Sequence, residues 1–171
     1  MIHVRNAQRK DVRLLMQMIL EMGQHERLTV FATEERLVED GFGATPKFHV
    51  LIAEDEAEAA GYALFFDCYS SFQGSGIFLE DLFVRDDFRG KGVGKALLSQ
   101  VAARVIELEY FGIMSNVLDW NQSALHFFES AGASELSDRK TLCLTGAALR
   151  EIAESESLSR ADPANTNQAR V

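Results

Sequence analysis

A glycine-rich segment with three basic residues is the part of the chain whose residue types most directly suggest chemistry. Residues 89–95 read RGKGVGK, with glycine at every second position from Gly90 to Gly94. The segment follows an apolar, strand-like stretch and precedes apolar residues at helical spacing. Glycines let backbone amides approach a ligand closely, and a helix N-terminus adds free N–H groups and partial positive charge. This pattern predicts an anion site, most naturally for phosphate.

The spacing within this segment excludes two common phosphate-binding motifs. A Walker A loop would need glycine where Arg89 stands and Ser or Thr where Ala96 stands. The dinucleotide-binding pattern Gly-x-Gly-x-x-Gly fails in both possible registers, because its last position is not glycine. The pattern that fits is Arg-x-x-Gly-x-Gly, formed by Arg89, Gly92 and Gly94. The alternative is a tight turn without a ligand, which needs neither three alternating glycines nor three basic residues.

Two adjacent acids, Glu80 and Asp81, interrupt an otherwise apolar strand pattern over residues 77–84. Neighbours in a regular strand face opposite sides, so one acid would face a buried layer at a cost. A β-bulge could turn both toward one cleft; alternatively, they lie at a solvated strand end and pair with arginines. A carboxylate in a cleft can bind an ammonium group and accept its proton. An alkyl ammonium group has a pKa of about 10, so removal of its proton costs roughly 4 kcal/mol at neutral pH.

Composition limits the partners that the protein can have. The 171 residues carry 17 basic and 26 acidic side chains, which give a formal net charge of −9. This balance argues against nucleic acid, whose phosphates require a basic surface. No apolar run approaches the ~18 residues of a membrane span, and the N-terminal residues lack the apolar core of a signal peptide. We therefore expect a cytoplasmic protein with neither a nucleic-acid nor a membrane partner.

The length predicts one domain with a full hydrophobic core. We place this domain at residues 1–154 and a flexible, polar tail at residues 155–171. Cys68 and Cys143 form neither a disulfide framework nor a metal-binding pattern, and no metal site is expected. Both cysteines lie in apolar, strand-like contexts, so we expect buried free thiols.

Apolar periodicity predicts a mixed α/β domain with an antiparallel front and at least one βαβ crossover. The predicted strands cover residues 2–5, 48–53, 61–68, 77–84, 113–118 and 141–144, with a loop over residues 70–76. Predicted helices cover residues 10–22, 93–109 and 121–130, with one more helix after Thr33 and another after Thr145. We expect Thr33, Asn121 and Thr145 to act as N-caps, and Gly23 and Gly41 to follow helix ends.

Five segments together resemble the acetyl-CoA-dependent N-acetyltransferases of the GNAT superfamily, in particular the diamine (spermidine/spermine) and thialysine acetyltransferase branch. These segments are residues 39–43, 79–84, 89–94, 120–121 and 132–134, within a resemblance that spans residues 2–152. The resemblance implies an α/β GNAT fold, whose mixed central sheet is splayed between its fourth and fifth strands and flanked by helices. It also implies acetyl-CoA in the gap between those strands, and a homodimer in which the last strand and helix pack on the partner.

The resemblance implies a role for each residue of the site. The acetyl and pantetheine groups would be held by the backbone of Leu82, Phe83 and Val84. The pyrophosphate would be held by the loop residues Arg89, Gly90, Lys91, Gly92, Val93, Gly94 and Lys95. The pantetheine arm would contact Asn121, Gln122, Ser123 and Ala124. Glu80 would be the general base, Asp81 and Glu26 would bind the amine, and a strand N–H near Leu82 would stabilise the oxyanion.

The chain departs from the family pattern at the leaving group and in the amine pocket. Phe128 stands where the family places a tyrosine that donates a proton to the departing thiolate. Ser70 and Phe72 stand where polyamine enzymes carry an acid and a tryptophan, and Arg139 and Lys140 stand near another expected acid. These changes favour a short amine or a lysine-like amino acid over a long polycation.

The leading hypothesis is therefore an enzyme that transfers acetyl from acetyl-CoA to the primary amine of a small molecule, which is diamine- or polyamine-like or lysine-like. One alternative is a catalytically weak acyl-CoA-binding protein of the same fold, because Phe128 has no proton to give. Another alternative is an N-acetyltransferase that acts on proteins or peptides.

Overall fold

The computed structural model describes residues 1–160, with side chains described through residue 154. The chain divides into two compact units, Met1–Asn121 and Gln122–Val171. The strands are β1 (Ile2–Asn6), β2 (His49–Asp55), β3 (Glu58–Ser70), β4 (Gly74–Val84) and β5 (Ile113–Ser115). The α-helices are α1 (Val12–Glu26), α2 (Glu34–Phe42), α3 (Val93–Glu107), α4 (Gln122–Ser130) and α5 (Gly146–Arg160).

The sheet has five strands in the order β1-β2-β3-β4-β5. The first four strands pair antiparallel, whereas β4 and β5 pair parallel through the crossover helix α3. Pairing with β5 ends at Leu79, although β4 continues to Val84. The predicted mixed α/β architecture is thus confirmed, and the last part of β4 carries an edge to which no strand of the described chain is paired.

Helices cover both faces of the sheet. Leu15 and Met18 of α1 pack with Tyr62 and Leu64 of β3 in one buried cluster, to which α2 contributes Leu37. On the opposite face, Arg104 of α3 lies over the ring of Phe65, and α3 buries an apolar stripe. That stripe consists of Val93, Leu97, Val101 and Val105. The alternation of β3 side chains between two covered faces explains why its central part is buried throughout.

The first unit confirms the predicted cap at Thr33, whose Oγ1 accepts a hydrogen bond of 3.3 Å from Arg36 N–H at the start of α2. The expected stop at Gly23 is wrong, because α1 continues to Glu26. A Cβ at Gly23 would lie only 2.5 Å from Val30 Cγ2, so this glycine allows the following segment to pack closely against the helix. The helix ends instead at Arg27, which has a left-handed φ of 58°.

Other boundaries also differ from expectation. The predicted loop at residues 70–76 is largely strand, because β3 extends to Ser70 and β4 begins at Gly74. The expected helix end before Gly41 is wrong, since α2 runs to Phe42. The strand predicted from residue 113 to residue 118 is formed only as far as Ser115.

The second unit contains α4 and α5, which confirm the helices predicted after Asn121 and Thr145. The strand predicted at residues 141–144 is not formed, and Leu142 is 90% exposed. A strand requires a partner for its N–H and C=O groups, and the described chain offers this segment none. Cys143 in the same segment is exposed and Cys68 is half-buried, so the expectation of two buried thiols is wrong.

The predicted tail, residues 155–171, begins within α5, and residues 161–171 lie outside the described part of the chain. The division into a domain at 1–154 and a tail stays a prediction. Within the described residues, no helix combines the length and the apolar character that crossing a membrane requires.

Candidate active site

A β-bulge lies at the two acids of β4. Leu64 of β3 is opposite Asp81, and the next residue, Phe65, is opposite Leu79. Glu80 is therefore the extra residue of the bulge, and its side chain is exposed, whereas Asp81 is half-buried. The bulge, which was one of the two alternatives for the adjacent acids, is present. The bulge interrupts the regular alternation of side chains along β4, and it leaves one carboxylate exposed and the other partly buried.

Asp81 is hydrogen-bonded to a buried tyrosine of the neighbouring strand. Tyr62 is paired with Phe83, which places Tyr62 and Asp81 diagonally across β3 and β4 on the same face of the sheet. The Tyr62 hydroxyl donates to Asp81 Oδ2 over 3.0 Å and lies 3.5 Å from Met22 Sδ of α1. Sequence reasoning missed Tyr62, because it lies in an apolar stretch and only the register of two strands brings it to the acid.

The environment of Asp81 raises its pKa to about 7, chiefly because burial disfavours the charged carboxylate. The hydrogen bond from Tyr62 lowers this pKa, while the nearby negative charges of Glu80 and Glu26 raise it. Burial also raises the pKa of Tyr62 well above its usual value, and the charge of Asp81 adds to that effect. Glu26 and Glu80 thus lie close enough to Asp81 to act on it, and the three residues are here called the acidic cluster.

Glu26 is the last residue of α1, so the end of this helix contributes to the acidic cluster. The flanking residues His25 and Arg27 contact the ring of Trp120. The His25 and Trp120 ring centroids are 6.4 Å apart, and the Arg27 guanidinium carbon lies 5.9 Å from the Trp120 centroid. Trp120 comes from the segment after β5. Two segments far apart in sequence therefore meet at the end of α1.

The alternative that Glu80 and Asp81 pair with arginines is not observed among the described residues. Arg85, just after β4, instead binds Glu21 of α1 through Nε at 2.7 Å and Nη2 at 2.9 Å. This contact lowers the pKa of Glu21. Sequence reasoning missed the pair, since its two residues are far apart in the chain. Within the part of the chain that the structure describes, neither acid of the bulge is neutralised by a salt bridge.

The end of β4 presents backbone amides that have no partner strand among the described residues. The N–H of Arg85 donates to Ala60 O of β3 at 3.0 Å, whereas the N–H of Ile77 donates to Gly112 O on the β5 side at 3.0 Å. Because successive N–H groups alternate between the two edges of a strand, those of Leu82 and Val84 point to the β5 side. Pairing with β5 has already ended there. These amides are therefore available to hydrogen-bond a ligand.

The glycine-rich turn leads directly into the N-terminus of α3. Gly90 and Gly92 have positive φ values of 74° and 85°, which L side chains rarely adopt. Gly92 is the N-cap and forms no side-chain cap, so the first amides of the helix remain open to an anion. A Cβ at Gly90 would meet no atom within 4 Å, so the approach to the turn is open.

The basic residues of the turn differ in their contacts. Arg89 Nε donates to Val84 O at 3.1 Å, and its Nη2 lies 3.0 Å from Asp86 Oδ1, so Arg89 braces the turn. Lys91 Nζ lies 5.1 Å from the centroid of the Phe88 ring. Val93 is buried, so it can offer only backbone to a ligand. Gly94 and Lys95 belong to the first turn of α3.

The last group of expected cofactor-binding residues, 121–124, spans the point in the sequence where the first unit ends and the second begins. Asn121 is buried at the end of the first unit. The first turn of α4 contains Gln122, Ser123 and Ala124. Phe128 lies later in α4, with its ring centroid 5.4 Å from that of Phe127.

Comparison with known proteins places these features in a family. A family model described as the acetyltransferase (GNAT) family matches residues 13–133. The chain is 32% identical over 165 residues to a thialysine N-epsilon-acetyltransferase from Bos taurus, covering 89% of this chain and 97% of that protein. Over 99 residues it is 38% identical to an L-ornithine N5-acetyltransferase from Arabidopsis thaliana, covering 57% of this chain and 43% of that protein.

Among solved structures, an integron cassette protein from the mobile metagenome of V. cholerae has a similar fold. Its TM-score is 0.74 at 21% sequence identity, and the match covers 90% of this chain and 98% of that one.

Proposed function

Since the chain belongs to the acetyltransferase (GNAT) family, whose members use acetyl-CoA as a cosubstrate, we propose that it acetylates the primary amine of a small molecule. The observation that carries this proposal is the bulge of β4. It places an exposed carboxylate, Glu80, and a half-buried one, Asp81, immediately before the open backbone edge of the same strand. An amine bound by the acids would thus lie next to a thioester bound along that edge.

Acetyl-CoA, when bound, supplies the acetyl group as an activated thioester. The N–H groups of Leu82 and Val84 would hydrogen-bond the acyl and pantetheine part of it, together with the backbone of Phe83. An N–H donor directed at the carbonyl oxygen stabilises the negative charge that develops there during attack. The open amides from Gly90 to Lys95 would bind the pyrophosphate, and residues 121–124 would contact the pantetheine arm. These donors belong to the backbone, so they are already in place before the ligand binds.

Glu80 is the proposed general base. An alkyl ammonium has a pKa near ~10, so the free amine costs roughly 4 kcal/mol at neutral pH. Glu80 is exposed and without a salt bridge in the described chain, so it can reach an incoming amine and accept its proton directly or through water. Asp81 and Glu26 would bind the cationic substrate before the transfer.

The departing thiolate would leave without a proton from α4, because Phe128 has no acidic hydrogen. A thiol has a pKa near ~8.5, so its thiolate is a fair leaving group. Loss of an acid catalyst costs about 10²–10⁴ in rate. We therefore propose turnover that is slower than it would be with a hydroxyl at this position.

The proposed substrate is a lysine-like amino acid or a short diamine. Two of the relatives are named for thialysine and ornithine, which supports an amino acid with a side-chain amine. Phe72, at the position where polyamine enzymes carry a tryptophan, is 96% exposed at the β3–β4 turn. Arg139 and Lys140 are candidates to pair with a substrate carboxylate. A cytoplasmic location belongs to the same proposal.

An assay of free CoA release tests the proposal, with diamines, polyamines, lysine analogues and peptides offered in turn to the protein and acetyl-CoA. We expect release with a lysine-like amino acid or a short diamine, and little with spermine. Release with peptides alone would favour a protein N-acetyltransferase. Tight binding of acetyl-CoA without release for any amine would favour the catalytically weak binding protein that Phe128 suggests.

A further inference from the structure

The acidic cluster has a neighbour to which the proposed function assigns no task. Tyr62 is fully buried, and its hydroxyl donates to Asp81 Oδ2. We propose that Tyr62 is a positioning residue for amine recognition, because its hydroxyl holds the Asp81 carboxyl beside Glu26 and Glu80 as a third negative charge for a bound ammonium group. This inference rests on the proposed function, and it assigns a role to the hydrogen bond between Tyr62 and Asp81.

Opposing effects determine the charge of Asp81. Burial and the negative charges of Glu80 and Glu26 favour the neutral carboxyl, whereas the Tyr62 hydrogen bond favours the carboxylate. The resulting pKa is about 7, so Asp81 is charged in only part of the molecules at neutral pH. A bound ammonium group adds a positive charge that favours the carboxylate. Asp81 then releases its proton to solvent as the amine binds.

The other charged groups around the cluster have partners elsewhere. On α1, Glu21 is neutralised by Arg85. The residues that flank Glu26, His25 and Arg27, contact Trp120. The charges that act on Asp81 are therefore those of Glu26 from α1 and Glu80 from β4, with the Tyr62 hydroxyl of β3 as the opposing contact.

Removal of the Tyr62 hydroxyl should change the pKa of Asp81 in one direction only. In Tyr62→Phe the contact that lowers the Asp81 pKa is lost, so this pKa rises and Asp81 is neutral at neutral pH. Amine affinity then falls at neutral pH and recovers as the pH is raised through the new pKa. Asp81→Asn cannot ionise, so its affinity stays low at every pH. Damage to packing alone would weaken binding without this recovery.

Calorimetry with thialysine as the probe tests the inference. CoA is present to fill the cofactor site without supplying an acetyl group. The titration is repeated in buffers of different ionisation enthalpy, and the difference in the measured heat gives the number of protons released on binding. We expect the wild type to release a fraction of a proton at neutral pH and Asp81→Asn to release none. Tyr62→Phe should bind about five-fold more weakly at neutral pH, because a rise of about one unit in the Asp81 pKa lowers the charged fraction from about a half to about a tenth, and it should regain affinity at higher pH.

Tyr110→Phe is the matched control, because it removes a hydroxyl from the segment between α3 and β5 and should behave like the wild type. Equal proton release by wild type and Asp81→Asn, or a Tyr62→Phe affinity that does not recover with pH, would overturn the inference.

A second measurement needs no substrate. An NMR titration of isotope-labelled aspartate carboxyl groups should show one group that titrates near neutral pH, is missing in Asp81→Asn and titrates at higher pH in Tyr62→Phe. An unchanged titration in Tyr62→Phe would overturn the inference whether or not thialysine binds. Failure of the proposed function would be seen in a different measurement, because no amine would then cause the release of CoA from acetyl-CoA.

Discussion

Arg85, the first residue after β4, holds Glu21 of α1 through two hydrogen bonds of 2.7 and 2.9 Å, and its Nη1 donates to Ala59 O at 2.9 Å. This contact ties the helix that ends at Glu26 to the strand that carries Glu80. The pair therefore fixes two parts of the acidic cluster relative to each other, although neither of its members belongs to the cluster.

Arg85→Met should destabilise the fold, because Glu21 and the Ala59 carbonyl both lose their donor. We expect a loss of about 1–3 kcal/mol in the free energy of unfolding at neutral pH, measured by denaturant unfolding. The pKa of Glu21 is lowered in the folded state. Its contribution is therefore present above its unfolded pKa and disappears as the pH falls through the folded one.

The control for this prediction is Lys47→Met, which breaks an exposed ion pair with Asp40. It should cost less than about 1 kcal/mol. Equal losses in the two variants would contradict the role assigned to Arg85.

Gly92→Asp should weaken acetyl-CoA binding by more than about ten-fold, or ~1.4 kcal/mol, as measured by calorimetry. The substitution introduces a negative charge at the N-terminus of α3, where the pyrophosphate is proposed to bind, and a side chain at a φ of 85°. Gly74→Asp is the matched control, since Gly74 has a φ of 90° but lies at the β3–β4 turn. Unchanged affinity in Gly92→Asp would refute the proposed phosphate site.

Glu80→Gln should lower the single-turnover rate with the best amine by about 10²–10⁴. Its affinity for acetyl-CoA should stay near that of the wild type, because backbone groups are proposed to hold the cofactor. Glu58→Gln neutralises an exposed acid at the start of β3 and serves as the control. If Glu80→Gln reacts as fast as the wild type across neutral pH, Glu80 is not the base.

Phe128→Tyr should raise the rate of acetyl transfer by up to about 10², because a phenol can protonate the departing thiolate. Stopped-flow detection of the free thiol measures this step. Phe127→Tyr adds the same hydroxyl one position earlier on α4 and should give no gain. An unchanged rate in Phe128→Tyr would show that another group already serves as the acid or that α4 is placed differently.

The exposed segment before α5 leads us to expect a homodimer. Leu142 is 90% exposed and Leu144 is 49% exposed, and the strand expected there is not formed in the described chain. Pairing with a second copy would bury both side chains and satisfy the backbone of the segment. Light scattering at micromolar concentration should give the mass of a dimer, and Leu142→Arg should reduce it toward that of a monomer. A monomeric wild type would contradict this expectation.

The sequence alone was enough to predict the family and the order of most elements. The glycine spacing at residues 89–95, the cap at Thr33 and the acids at residues 80–81 are local signals. Their meaning depends on neighbouring residues in the chain, such as an N-cap beside a helix or glycines in a turn. The resemblance to GNAT acetyltransferases, which segments such as residues 79–84 and 89–94 carried, is confirmed.

Local patterns failed where a boundary depends on a distant contact. Glycine often follows a helix end, yet α1 continues through Gly23, where the missing side chain leaves room for Val30. The apolar segment at residues 141–144 has the pattern of a strand, but a strand forms only where another backbone is available to pair.

Only the tertiary structure decided the pKa of Asp81 and the surroundings of the acidic cluster. Tyr62 meets Asp81 because the register of β3 and β4 places them diagonally, and Glu26 joins them because α1 packs on the same face. The pKa of Asp81 depends on its burial and on charges from two separate elements. Residue types identify a carboxylate, but solvent exclusion and long-range neighbours determine when it is charged.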